Sequence, residues 1–346
     1  MSPTKAHFII SSFFPHELEE HLGLVPRYRA KQLFQSIYQG KMHWDEITVF
    51  PRAVRSRFAN LYPLISSGVM KTYQDGANTK FVIRLIDGQI TETVLLVDKN
   101  GRKTACVSCQ VGCAMGCAFC KTAQLGLRRN LDAGEIVEQI LHLQHHHGYI
   151  DNIVYMGMGE PMNNLNNVIK SIRLLAHPDG LGMGLRRFTI STCGLVDGIR
   201  RLVEEKLPVG LAFSLVTADQ SLREELMYTA KANPLPQVKQ ALQEYQRFTG
   251  QRVTLEAALM AGYNDRPKDA QLLSKFVQGL DYMFNLIPWN PVPGLLFRRP
   301  NQAEIETFTE MLHSHGVKVV RRYQRGANVA AACGQLGTEV LSSQAK

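Results

Sequence analysis

The sequence predicts an α/β protein: strand-helix units repeated around a parallel sheet or barrel, preceded by a small helical region and a β-hairpin. Three observations carry this prediction. From residue 104 onward, short apolar runs of strand character alternate with helical stretches. Residues 1 to 65 show the periodicity of short amphipathic helices, with a turn near Gly40. Between them, residues 78 to 97 alternate as two strand patterns about the turn Asp87-Gly88. With 346 residues, 45% of them hydrophobic, the chain can bury a large core as one big α/β domain plus a small one.

Taken in order, the first unit is residues 1–75, helical and basic. Val25 to Asn60 carries Arg27, Arg29, Lys31, Lys41, Arg52, Arg55 and Arg57 against only Asp45 and Glu46. The chain as a whole has a formal charge of +9, which points to an acidic partner, most often a nucleic acid. Tyr28, Phe34, Tyr38 and Trp44 are interleaved with these cations. Phe34 and Tyr38, four residues apart on one helix, read as core rather than as base-stacking platforms. A hairpin connection, 76–100, follows. The remaining unit, 101–346, has expected strands at 104–108, 152–157, 187–192, 209–215, 253–260, 283–288 and 317–322. Its helices include 133–147, 165–175, 236–248 and 302–315. In such architectures the functional residues gather at the C-terminal ends of the strands.

The first of those ends runs into five cysteines within fifteen residues. Cys113, Cys117 and Cys120 form a C-x3-C-x2-C run that suits three corners of a [4Fe-4S] cubane with one iron left open. S-adenosylmethionine fills such a vacancy in radical enzymes. A structural zinc site is the plainer reading, but only seven residues separate Cys106-x2-Cys109 from Cys117-x2-Cys120, fewer than the roughly 12 to 20 of zinc ribbons. The second strand ends in Gly157-Met-Gly-Glu-Pro161. There the glycines allow close backbone approach, Glu160 can accept from a substrate ammonium, and Asn163 or Asn164 is placed to cap the next helix. Later strands end in Ser191-Thr-Cys-Gly194, Ser214-Leu-Val216 and Pro288-Trp-Asn-Pro291. Each taken singly is an ordinary strand terminus.

No apolar run approaches the roughly 18 residues of a membrane span. His7 to Phe14 is too short for a signal peptide and lacks its basic lead and cleavage site. Seven cysteines, an odd number and tightly clustered, suit a reducing compartment. The expectation is a cytoplasmic protein without membrane partners.

Segments along nearly the whole chain resemble the radical-SAM RNA adenine methyltransferases of the RlmN/Cfr family. They begin with Arg27-Tyr-Arg-Ala-Lys31, Glu92-Thr-Val94, Cys106-Val-Ser108 and Gln110-Val-Gly-Cys113. The cysteine run and Gly157-Met-Gly-Glu-Pro161 follow, then Asn285-Leu-Ile-Pro-Trp-Asn-Pro291, Arg325-Gly326 and Ala331-Ala-Cys-Gly-Gln-Leu336. The resemblance implies an incomplete (β/α) TIM-like radical-SAM barrel with an N-terminal RNA-facing domain and a C-terminal extension. It also implies that Cys113, Cys117 and Cys120 hold the [4Fe-4S] cluster. Gly159, Glu160, Ser191, Ser214, Leu215 and Asn290 are implied contacts of S-adenosylmethionine.

By the same resemblance Cys333 carries the methyl group, Cys106 resolves the intermediate as a disulfide, and Glu92 is the proton acceptor. A thiolate relay suits the target, since an sp2 carbon of adenine, C2 or C8, is too weak a nucleophile to displace a sulfonium directly. The implied partners are RNA (rRNA, tRNA or both) and an electron donor such as flavodoxin or ferredoxin, with the enzyme a monomer. Three departures from the family pattern stand out. Val216 replaces a histidine, Met227-Tyr-Thr-Ala230 replaces Pro-Ile-Asn, and Cys109 stands where serine is common. His145-His146-His147 reads as helix surface rather than a metal site, and Cys193 has no implied role. A radical-SAM enzyme acting on a non-RNA substrate and a non-catalytic iron-sulfur RNA-binding protein are the competing readings. The joint presence of Cys106 and Cys333 argues against both.

Overall fold

The computed structural model describes residues 8–321 and 333–337; Arg325, Gly326 and Ala331 of the C-terminal motifs lie outside them. The chain opens with α1 (Pro15–Leu22), α2 (Tyr28–Tyr38) and α3 (Arg52–Ala59). Phe34 and Tyr38 are buried in the core, as their spacing predicts, while Tyr28 is exposed. Trp44 is also buried and its Nε1 donates to the Tyr62 carbonyl at 2.8 Å.

Three antiparallel strands follow, β1 (Gly68–Asp75), β2 (Asn78–Arg84) and β3 (Ile90–Val97). The last two are the expected hairpin about Asp87-Gly88. Strand β1 falls within the span expected to be helical. It is the edge of the sheet and its side chains are mostly exposed, so it carries no apolar alternation to read. β4 (Lys103–Cys106) pairs antiparallel with β3, and a separate two-stranded ribbon, β5 (Gln110–Gly112) with β6 (Leu127–Asn130), brackets the cysteine loop.

The chain continues through α4 (Ala133–His147), β7 (Asn152–Tyr155), α5 (Leu165–Ala176), β8 (Phe188–Thr192), α6 (Val196–Glu204), β9 (Gly210–Ser214), α7 (Gln220–Leu226), α8 (Leu235–Thr249), β10 (Val253–Leu259), α9 (Pro267–Val277), β11 (Tyr282–Pro288), α10 (Gln302–Ser314) and β12 (Val319–Arg321). In the ten-stranded sheet, β4, β7, β8, β9, β10, β11 and β12 lie side by side in chain order, every neighbouring pair parallel. Strands β1 and β12 are its two edges, so the parallel wall is an incomplete (β/α) barrel.

Local chemistry fixes the helix starts. Asp132 accepts from the Gly134 N–H at 2.9 Å while its own N–H donates to Glu135, a capping box for α4; Asn301 and Glu304 do the same for α10. Asn164 does not cap α5 with its side chain. Its Nδ2 donates instead to the carbonyls of Cys109 and Leu131, both at 2.7 Å, tying α5 to the strands that flank the cysteine loop.

A polar seam joins the N-terminal region to α4. The buried carboxylate of Glu138 accepts from Ser11 Oγ, Ser66 N and Ser67 N between 2.8 and 2.9 Å, and from Ser67 Oγ at 2.6 Å. His142, one turn on, contacts Ser67 Oγ through Nε2 at 3.0 Å. His145 and His146 are exposed at the end of α4, and no group of three His, Cys, Asp or Glu among the described residues is placed to hold a metal ion. No helix among the described residues is long and apolar enough to cross a membrane.

Candidate active site

Parallel β-strands with helical crossovers leave their C-terminal ends as an open rim, and here that rim surrounds one cleft. β4 enters it first. Beyond Cys106 the chain crosses β5, and the pairing of β5 with β6 pinches off the loop that holds the three spaced cysteines. Gly112 makes the pinch possible: its φ is +80° and a Cβ there would lie 1.8 Å from the Gly126 carbonyl oxygen. The Cys113 N–H donates to that same oxygen at 3.1 Å, and the Cys120 N–H to the Cys117 carbonyl at 3.1 Å.

Cys113, Cys117 and Cys120 all line the cleft. Burial pushes the Cys113 thiol up to about 12 and that of Cys117 well above the ordinary thiol range; both thiols interact electrostatically with Cys120. Burial therefore favours the neutral thiols. Binding of iron reverses this balance, since a coordinating thiol is deprotonated. Three thiols on one loop at the wall of the cleft are a soft donor set whose chemistry and C-x3-C-x2-C spacing fit an iron-sulfur cluster. Phe119, Met115 and Trp289 wall the loop, and Trp289 Nε1 donates to the Phe119 carbonyl at 3.0 Å.

The turn after β7 faces this loop. Gly159 has φ +102°, and a Cβ on it would strike the Gln110 side chain at 2.6 Å. Gln110 uses that close approach to accept from the Glu160 N–H through Oε1 at 2.9 Å. Glu160 is buried and lines the cleft, with its carboxylate accepting from the backbone N–H groups of Met162 at 3.1 Å and Cys193 at 2.9 Å. Burial raises its pKa despite those hydrogen bonds. A buried carboxylate fixed by two backbone donors is preorganised for an ammonium ligand, whose charge offsets the cost of its ionisation.

Ser191 and Ser214 end β8 and β9 side by side, their hydroxyl oxygens 3.5 Å apart, and both line the cleft with Gly159 and Asn290. Leu215 does not line it. Its side chain lies in the main core, and its carbonyl accepts from Arg223. Val216 lines the cleft with φ +62°, a left-handed conformation that costs a β-branched residue about 1–3 kcal/mol. It is held there from both sides, its N–H donating to the Glu256 carbonyl and its own carbonyl accepting from Asn264 Nδ2.

The C-terminal cysteine joins the same space. Cys333 and Gly334 line the cleft, the Cys333 carbonyl accepts from Asn290 Nδ2 at 3.1 Å, and the Gly334 carbonyl accepts from the Lys121 N–H at 2.8 Å. Cys333 is exposed, and no disulfide joins the described cysteines. Cys106 does not line the cleft. It is buried in a small cluster with Val94, Met158 and Leu336, so the C-terminal segment packs against it through Leu336.

Register places Lys80, Val94 and Cys106 in one row across β2, β3 and β4, and Glu92 on the same face of β3 as Val94. A glutamate on a hairpin strand reads by default as solvated. Glu92 is instead fully buried, with Lys80 Nζ 3.6 Å from its Oε2. Cys193 and Met227 also line the cleft, as does Glu256, which stands in no run that the sequence singles out.

Comparison with known proteins accounts for this arrangement. Residues 107–273 match the radical SAM superfamily, so the fold and the cysteine loop are those of a radical-SAM protein. The chain is 46% identical over 344 residues to a "Probable dual-specificity RNA methyltransferase RlmN" of Treponema denticola, covering 99% of both chains. It is 38% identical over 329 residues to the "Ribosomal RNA large subunit methyltransferase N" of Nitrosopumilus maritimus, covering 91% of this chain and 93% of that protein. A crystal structure of a radical SAM methyltransferase from Sphaerobacter thermophilus superposes with a TM-score of 0.91 at 40% identity, over 94% of this chain and 98% of the other. The chain belongs to the RlmN family of radical-SAM methyltransferases.

Proposed function

We propose that this enzyme methylates an sp2 carbon of adenine in RNA, C2 in preference to C8, through an S-methylcysteine at Cys333. The observation that carries the reading is the presence of Cys333 in the same cleft as Cys113, Cys117 and Cys120, more than two hundred residues away in sequence. In this reading those three thiolates hold a [4Fe-4S] cluster, and Glu160, Gly159, Ser191, Ser214 and Asn290 receive S-adenosylmethionine, with Leu215 supporting that wall from the core. When bound, the cluster supplies the electron for reductive cleavage of S-adenosylmethionine, and with it hydrogen-atom abstraction from a methyl group.

The chain's own residues do the rest. The exposed Cys333 thiolate takes a methyl group by displacement and presents it to the base. Glu92, buried with Lys80 Nζ 3.6 Å from its Oε2, accepts a proton from the adduct. Cys106 attacks the Cys333 sulfur and breaks its bond to the methylene carbon, which takes up a proton as the disulfide forms and the methylated base leaves. The basic N-terminal unit binds the phosphate backbone of rRNA, tRNA or both. A low-potential donor such as flavodoxin or ferredoxin provides the electrons, and the enzyme works as a monomer.

The test is mass spectrometry of nucleosides from RNA incubated with reconstituted enzyme and S-adenosylmethionine bearing a trideuterated methyl group. Adenosine methylated at C2 with two deuterons retained is the expected product. Retention of all three, or methylation at a nitrogen, contradicts the proposal.

A further inference from the structure

Helix α7 directs Arg223 inward, beneath the floor of the cleft, and the side chain is fully buried. Its guanidinium clamps the ends of two strands: Nε donates to the Leu215 carbonyl at 3.1 Å, and Nη2 to the carbonyls of Cys193 at 2.6 Å and Ser214 at 3.3 Å. It lies over the Phe213 ring, with Cζ 5.1 Å from the centroid. Nη1 is buried without a hydrogen-bond partner among the described residues. No carboxylate acts on it there. The ionisable groups whose charge reaches it are Cys193 and Cys117.

A guanidinium remains protonated under all ordinary conditions, so this is a permanent buried charge. Carbonyl dipoles solvate such a charge without neutralising it, and a buried cation lacking a counter-anion is strongly unfavourable. The anion must be a group that the cleft acquires. Packing shows where: the Ala118 N–H of the cysteine loop donates to the Leu226 carbonyl of α7 at 2.9 Å, one turn beyond Arg223, and Cys117 packs in one cluster with Leu222, Leu226 and Cys193. Three thiolates on a [4Fe-4S] core carry net negative charge, and one-electron reduction adds another.

We propose that Arg223 is the buried counter-cation of the cluster site, stabilising the thiolate-ligated cubane most in its reduced form and so raising its reduction potential. This rests on the reading that Cys113, Cys117 and Cys120 hold the cluster. Arg223 is a positioning residue, acting through the field at Cys117 rather than by contact with substrate.

The experiment compares the full-length wild type, Arg223→Lys and Arg223→Gln after anaerobic reconstitution, by iron and sulfide analysis and by an EPR-monitored redox titration without RNA. Gln keeps a donor for the carbonyls but loses the charge; Lys keeps the charge. The expected result is a reduction equilibrium constant at least tenfold lower in Arg223→Gln, 59 mV for a one-electron couple, with Arg223→Lys staying within threefold of wild type. A cluster of unchanged potential in Arg223→Gln overturns the inference, as does a tenfold fall in Arg223→Lys, which decides the matter alone if the Gln variant does not fold. Failure of the wild type to assemble a cluster overturns the cluster reading and this inference together.

Discussion

Acidification should weaken the seam between the N-terminal region and α4, and His142 makes the effect measurable. Its pKa falls to about 4, because burial disfavours the cation and His146 and His145 add like charge. Ser67 Oγ has a single proton, and the 2.6 Å contact to Glu138 takes it, so His142 Nε2 is the donor in its 3.0 Å contact to Ser67 Oγ. The sign follows from the depressed value. The unfolded chain binds this proton near pH 6.5 and the folded chain only near 4, so the stability that His142 contributes is complete above 6.5 and drains as pH falls through 4. An interval of about 2.5 units at about 1.4 kcal/mol per unit gives roughly 3 to 4 kcal/mol, of which about 3 is lost by pH 4.

Glu138 works in the opposite sense. Its pKa is raised by burial, so its contribution is present at low pH and lost as pH rises through the folded value. A comparison of wild type with His142→Gln by urea unfolding between pH 7 and pH 4 separates the two, since Glu138 is common to both proteins. Wild type should lose about 3 kcal/mol more than the variant over that range. Parallel pH profiles would refute the assignment of a neutral, buried imidazole at the seam.

Two further outcomes follow from the geometry. Gly112→Ala places a Cβ against the Gly126 carbonyl at a backbone angle that alanine resists, so the cysteine loop must shift; iron bound after reconstitution should fall severalfold while far-ultraviolet circular dichroism stays unchanged. Full iron retention in a folded variant would show that the loop tolerates the displacement. Arg52 and Arg57 are exposed on α3, and replacing both by glutamine should reduce the slope of log affinity against log salt for RNA by about 1.4, roughly 0.7 per lost contact to a single strand. An unaltered slope would remove these residues from the RNA interface.

The parts of this molecule written in local sequence were legible, and those written across the fold were not. Helices α4 and α10, expected at 133–147 and 302–315 from their apolar periodicity, were placed to within a residue. The cysteine loop was legible because its three cysteines stand at fixed spacing within a single short stretch of chain. Strand β1, exposed at an edge, and the short β5–β6 ribbon, closed across the cysteine loop, left no periodic trace. Glu92, flanked by two threonines on a hairpin strand, looks solvated in sequence; only the packing of both faces of β3 buries it against Lys80. Arg223 sits in the run Ser-Leu-Arg-Glu-Glu-Leu, which reads as a charged helix surface, yet that residue is turned wholly inward. Cys333 is too distant from the other cysteines for any spacing rule, and it entered only through a family resemblance.

The most direct test of the account is to trap the bond between Cys333 and RNA. With Cys106→Ala, the methyl group still reaches Cys333 and the base is still attacked, but no thiolate remains to break the carbon-sulfur link. Incubation with RNA, S-adenosylmethionine and reductant, followed by RNase digestion and peptide mass spectrometry, should reveal adenosine joined through one carbon to the Cys333 peptide. Cys333→Ala should yield neither that adduct nor methylated RNA. Normal turnover by Cys106→Ala, or an adduct on any residue other than Cys333, would contradict the relay.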